Sequence, residues 1–230
     1  MTRMISLNPY NREGHLAIGK REGIIFSDIR LHVSLVLRSK NPHVFRPDLL
    51  KDSVEPTAEI LETLAQSVAI VKLRYISEEP LSDDRHVKFM AHFAASYSDL
   101  GSGLAVYDVV AEKLQTADEF RAMLEADPAA DSFDAHVRVF WHKTPHSGFA
   151  ETKGLLKKGS PELKTDDAYL DQQVLVCEVL EEAARQIWAS NELPKAVDVA
   201  AFEDTYKLEI FPTRNGPYRV RILRVFAPQT

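Results

Sequence analysis

A single cysteine, Cys177, stands among 230 residues. That excludes an internal disulfide framework, a thiol redox pair and a multi-cysteine zinc site, and it suits a reducing compartment. Glycine is scarce too: nine residues, about 4% against an average near 7%. Regular packed elements are therefore expected more than glycine-lined ligand loops. No uncharged apolar run reaches the ~18 residues of a membrane-spanning helix. The opening MTRMISLNPYNREGHLAIGK lacks the apolar stretch of about 7 to 15 residues that an export signal needs. A soluble, cytoplasmic protein with no membrane partner is expected.

Several catalytic signatures are missing as well. There is no HExxH, no GxxxxGK(S/T) and no GxSxG. Gly101-Ser102-Gly103 follows a predicted helix and precedes a strand, whereas both a nucleophile elbow and a dinucleotide loop follow a strand and open a helix. His136 and His142 stand six apart, so on a strand they share a side but lie roughly 20 Å from one another, too far to share an ion. His86 and His92 lie about 240° apart around a helix. No metal and no cofactor is expected.

What is present is an ordinary globular composition, 45% hydrophobic and 27% charged, with a net charge of −6 that is unevenly spread. Residues 1–51 hold nine Lys/Arg against four Asp/Glu, a balance of +5, and the remainder carries −11. The pI is about 5.8 and the basic residues are dispersed, so a nucleic-acid partner is not expected.

Residues 1–28 show no steady period and read as an irregular lead-in, with one short strand near Gly23–Phe26. Ile29, Leu31, Val33, Leu35 and Leu37 then alternate with mostly polar residues, the two-residue period of a half-buried strand. A helix is predicted over Pro56–Val68 and a strand over Val68–Ile76. A second helix runs from Ser82, with Asp83 and Asp84 in its first turn, to about Tyr97. Short strands fall at Gly103–Tyr107 and Lys113–Gln115, and Thr116 with Glu119 fits a capping box opening a helix that stops by Pro128. Ala135–Lys143 reads as a strand with His136, Arg138 and His142 on one face. Residues 144–165 read as loop-rich. A long helix is expected from Asp166 or Asp167 along the stripe Leu170, Val174, Cys177, Leu180, Ala184, Ile187 and Trp188, with Cys177 as a small buried hydrophobe. The chain ends in a hairpin that sets Leu208 opposite Val220 and Glu209 opposite Arg219.

Strands and helices alternate, but the strands carry an alternating pattern where buried parallel strands would be continuously apolar. The expected fold is α+β: one compact domain over 1–230, a mainly antiparallel or mixed sheet, helices packed over one face, and a C-terminal β-hairpin.

The densest chemistry lies in residues 136–163. His136, Arg138, Lys143, Lys153 and Lys158 are candidate ligand-binding residues, because cations beside Gly148, Gly154 and Gly159 can hold a small anion. His142 and His146 are the candidate catalytic bases. Asp108, Asp134 and Glu151 could pair with histidines, but spacing selects no pair. The alternative reading of the segment is a solvated loop docked on the acidic face of the long helix.

Two stretches, Gly101–Asp108 (GSGLAVYD) and Thr152–Leu163 (TKGLLKKGSPEL), resemble motifs of bacterial protein families of unknown function. The first is similar to a helix followed by GG-x-x-YD, here interrupted by Ser102. The second is similar to T-(K/R)-G-L-x-x-x-G-x-P-(D/E)-L. The resemblance implies a compact bacterial α+β protein and assigns no catalytic residue.

Two functional readings follow. The first is a non-enzymatic cytoplasmic binding or interaction protein, such as a homodimer that covers an edge strand of its sheet. The second is a small hydrolase or transferase acting on an anionic substrate, with His142 or His146 as base and Lys153 or Lys158 holding the anion. The second requires a histidine of this segment in a concave pocket, within reach of a carboxylate or lysine.

Overall fold

A computed structural model describes residues 5–7, 29–45, 58–77, 84–190, 192–214 and 216–225. Contacts divide the chain into two compact units, Met1–Tyr107 with Leu114–Ala130, and Asp108–Lys113 with Asp131–Thr230.

In the first unit, β1 (Ile5–Leu7), β2 (Ile29–Leu37) and β3 (Ala69–Ser77) form an antiparallel sheet in the order β1-β2-β3. β2 has the bounds its alternation predicts, and Leu31 and Val33 are buried. Helix α1 (Ala58–Gln66) precedes β3 and helix α2 (Arg85–Leu100) follows it. β4 (Ala105–Asp108) and β5 (Lys113–Thr116) form a two-stranded ribbon whose tip, Asp108–Lys113, belongs to the second unit. Helix α3 (Ala117–Ala126) opens on the expected capping box: Glu119 N–H donates to Thr116 Oγ1 at 3.2 Å and Thr116 N–H to Glu119 Oε2 at 2.7 Å. Ala91, Phe120 and Ala130 centre a core that Val106, Met123 and Leu124 extend. The strand expected near Gly23–Phe26 and the Ser82 cap lie outside the described residues.

The second unit holds helix α4 (Phe133–His136), strands β6 (Arg138–Lys143), β7 (Gly148–Lys153) and β8 (Leu163–Thr165), helix α5 (Gln173–Ser190), and strands β9 (Ala196–Ala201), β10 (Asp204–Phe211) and β11 (Tyr218–Val225). Six strands make one mixed sheet in the order β6-β7-β8-β11-β10-β9, parallel at β11–β8 and antiparallel elsewhere. α5 covers one face, burying Val176, Val179, Leu180, Ala183, Ala184, Ile187 and Trp188 against inward residues such as Ala150, Leu163, Val199, Leu208 and Val220. The α+β class, the mixed sheet, the helix over one face and the closing hairpin are as the sequence predicts.

Four local expectations need correction. Ala135–Lys143 is not one strand: Phe133–His136 is a helical turn, closed by Val137 N–H to Phe133 O at 2.8 Å, and the strand begins at Arg138. Burial of Phe133, Ala135, His136 and Val137 overrides their β-propensity. Residues 144–165 contain β7 and β8; apart from Leu163 their inward positions are Gly148, Ala150, Thr152 and Thr165, too small or polar to show as an apolar alternation. The long helix starts at Gln173, because Asp166 continues the sheet with its N–H bonded to Val220 O at 3.1 Å. Its true apolar stripe leaves Val174 67% exposed and Cys177 only half-buried. In the hairpin, Leu208 lies opposite Ile222, and Val220 opposite Ile210, a two-residue shift that keeps every side chain on its expected face. Pro217 has no N–H for the ladder, and Tyr218 N–H bonds Glu162 O instead, at 2.6 Å, so pairing begins beyond them.

Among the described residues no helix is long and apolar enough to cross a membrane.

Candidate functional site

The 136–163 segment is drawn together, but into structure. β6 and β7 pair with Arg138 opposite Lys153, Phe140 opposite Glu151 and His142 opposite Phe149, so these six side chains share the sheet face away from α5. Arg138 lies over the Phe140 ring at 4.5 Å and donates to Glu112 O at 2.9 Å. Lys153 sits 3.2 Å from Glu151 and 3.8 Å from Glu112. His142 stacks on Phe149 at 4.7 Å between centroids. Its Nε2 is 3.3 Å from Glu151 Oε2, yet the alignment makes no hydrogen bond. Lys143 and His146 are exposed; His146 stands in a loop closed by Thr144 N–H to Ser147 O at 2.8 Å.

His136 is on α4, not on the strand face of Arg138 and His142. It is 5% exposed and stacks on Trp188 at 5.5 Å. Lys158 lies over the same indole at 4.4 Å and donates to Trp188 O at 3.1 Å. Thus His136, buried, and Lys158, half-buried, share Trp188 as an aromatic partner.

Sequence reasoning missed the two groups that organise the segment. Glu162 is 7% exposed, and its carboxylate accepts from Thr152 Oγ1 at 2.8 Å and from the N–H groups of Gly154 at 2.8 Å, Leu155 at 3.3 Å and Leu156 at 3.2 Å. Thr152 Oγ1 in turn accepts from Leu163 N–H at 2.8 Å. Gly154 has φ +117°, and any Cβ there would strike His136 O. These bonds account for the threonine, glycine and glutamate of the TKGLLKKGSPEL stretch as one self-closing clamp.

The second missed group is Lys157, whose ammonium pairs with Asp108 Oδ2 and donates to His136 O at 3.0 Å. Asp108 also accepts from Val110 and Ala111 N–H at 3.0 and 3.1 Å. Burial holds Lys157 below the ordinary lysine pKa, although Asp108 pulls the other way. Burial, with Arg138 and Lys157 nearby, also lowers Lys113. The signal for both groups was the pairing of a charged residue with glycine-flanked backbone, visible only once the turn closes.

A different surface is left open. Among the described residues the sheet ends on β6 and β9. β6 carries Arg138 and Lys143, charged side chains of the kind that protect an edge. β9 reads Ala-Val-Asp-Val-Ala-Ala, with Asp198 as its one charge. Ala201 and Asp204 flank a two-residue connection, so the backbone groups of residues 197, 199 and 201 face β10. Ile210 N–H to Lys195 O at 2.9 Å continues that ladder. Ala196, Asp198 and Ala200 therefore point their N–H and C=O groups outward, and among the described residues only Asp198 O meets a side chain, Gln186 Nε2 at 3.4 Å.

Beside this edge runs a groove lined by α5 residues Val174, Cys177, Glu178, Glu181 and Arg185, together with Ala200. Burial, then Glu181, pushes the Cys177 thiol up from its ordinary pKa. Arg185 is neutralised by Asp134 at 2.9 Å and Glu181 at 3.0 Å. Among the described residues no group of three His, Cys, Asp or Glu side chains is placed to hold a metal ion.

Comparison of the chain with protein-family models, with curated proteins and with solved structures finds no match.

Proposed function

We propose that this chain is a non-enzymatic cytoplasmic interaction protein that takes a partner strand onto the free edge of β9. The observation that carries the reading is the outward backbone of Ala196, Asp198 and Ala200 beside a groove on α5. Unpaired strand groups at an edge gain affinity by adding a strand, and an adjoining groove selects its side chains. The engagement of Lys158 with Trp188 and of Lys153 with Glu151 supports the same reading, because it commits both cations that a catalytic use of the segment would need to hold its anion.

The second reading, a small hydrolase or transferase for an anionic substrate, keeps one observation in its favour: His142 lies 3.3 Å from Glu151 on the open sheet face. One selection separates the two. A random heptapeptide display library is panned on the full chain, and recovered binders are retested on Ala200→Pro and on a His142→Ala, Lys153→Ala pair. Proline at 200 removes an N–H that β10 does not use. The interaction reading expects binders that fail on Ala200→Pro and persist on the pair. Binders with the opposite pattern, or turnover of phosphate and carboxylate esters abolished by His142→Ala, would overturn it.

A further inference from the structure

We infer that the occupant of the β9 edge is an extended segment of another protein, about five residues long, with a small apolar side chain at one end and lysine or arginine at the other. This rests on the β9 docking proposed above and adds the chemistry of the partner.

The length follows from the helix. The groove runs along α5 from Val174 to Arg185, eleven steps of ~1.5 Å or roughly 16 Å, which an extended chain covers in about five residues at ~3.3 Å each. Its two ends differ in character. Val174 and Cys177, next to Gln173, leave the first end uncharged and partly apolar, while Glu178, Glu181 and Glu182 make the second end acidic, against the single cation Arg185. Arg185 is already committed to Asp134 and Glu181, and Glu182 is 4.0 Å from it. Glu178 has no ion pair among the described residues, and Asp198 adds a further exposed carboxylate on the edge strand itself. The complement to this surface is cationic.

The same charges weigh against a second copy of the chain. A two-fold pairing of β9 with β9 sets like surfaces face to face, and each would bring Glu178 and Glu182 toward its own image. The turn next to the edge supplies an independent pointer. Phe202 and Glu203 both hold positive φ, +49° and +65°, which glycine or asparagine adopts at less cost. Phe202 nonetheless occupies that position 53% exposed, in the turn that closes the edge strand. Strain kept at a solvent-facing aromatic marks Phe202 as a candidate contact residue.

The test uses the full chain, labelled for backbone amide NMR, and three probes: an end-blocked hexapeptide with valine in its first half and lysine in its second, the same peptide with glutamate for lysine, and the protein itself over a hundredfold concentration range. The lysine peptide is expected to shift the amides of Ala196, Asp198 and Ala200, to weaken at least tenfold on Glu178→Lys, Glu182→Lys, and to lose those shifts on Ala200→Pro. The double variant lies on the exposed side of α5 and keeps the fold testable should the proline disturb it. Equal binding of the lysine and glutamate peptides at those amides overturns the basic partner and leaves the edge reading standing. Concentration-dependent shifts there, removed by Ala200→Pro, make the occupant a second copy and overturn the inference while the edge reading stands. No change at those amides with any probe overturns both.

Discussion

Replacing Glu162 tests whether the 136–163 segment is built for packing. In Glu162→Ala the hydroxyl of Thr152 and the N–H groups of Gly154 and Leu155 lose their buried acceptor, and Leu156 N–H loses a partly buried one. Each buried donor left unsatisfied costs about 1–3 kcal/mol. Three such donors give roughly 3–9 kcal/mol before water enters, and a loss of about 4–5 kcal/mol is the working expectation. That is about a quarter or more of the ~5–15 kcal/mol by which a typical protein is stable. Glu162→Gln keeps one acceptor oxygen and turns its NH2 toward donors, so it loses about half as much. Urea unfolding of both variants, followed by circular dichroism, gives the two values. A loss under about 1 kcal/mol in Glu162→Ala, with an unchanged denaturant slope, would refute the clamp.

Three further outcomes are expected. Phe202→Asn with Glu203→Gly relieves positive φ at both turn positions and stabilises by about 1 kcal/mol, read as a rise of roughly 2–4 °C in Tm; an unchanged or lower Tm contradicts the strain argument. Gly148→Ala drives a methyl group into the Trp141 indole, costing about 1–3 kcal/mol and changing tryptophan fluorescence in the native state; native fluorescence and stability would show that the ring has room to move. Cys177 has its thiol pKa raised above the ordinary 9.0, first by burial and then by Glu181, so alkylation by iodoacetamide reaches half its plateau above pH 9.0, and Glu181→Gln moves that midpoint down. Because the folded thiol holds its proton longer than the unfolded one, stability falls as pH rises through that window; a midpoint at or below 9.0 contradicts the placement of the thiol.

The parts of the fold that sequence reveals are those in which side chains alone determine the pattern. β2 shows its bounds because the buried Leu31 and Val33 alternate with the polar, half-buried His32 and Ser34, and α3 shows its start because Thr116 and Glu119 cap it by local bonds. β7 hides because its core positions are Gly148, Ala150 and Thr152. α4 hides because Phe133 and His136 gain more from packing beside Arg185 and Trp188 than from extending β6. The candidate site was legible as a cluster of residue types and not as geometry. Nothing in the spacing of His136, Lys157 and Lys158 foretells that all three turn inward, and Glu162 becomes a clamp only when the chain from Thr152 to Leu163 folds back on itself. β9 was not expected from the sequence, although Val197 and Val199 alternate around Asp198, and an edge exists only once the strand order is known.

Amide hydrogen exchange along β9, measured residue by residue in dilute protein, tests the open edge most directly. Val197, Val199 and Ala201 donate into the β10 ladder and exchange slowly; Ala196, Asp198 and Ala200 point outward and exchange near the rate of an unprotected chain. That alternation is the predicted result. Uniform slow exchange across Ala196–Ala201 would mean the edge is already paired, and would contradict the proposal that it is kept open for a partner.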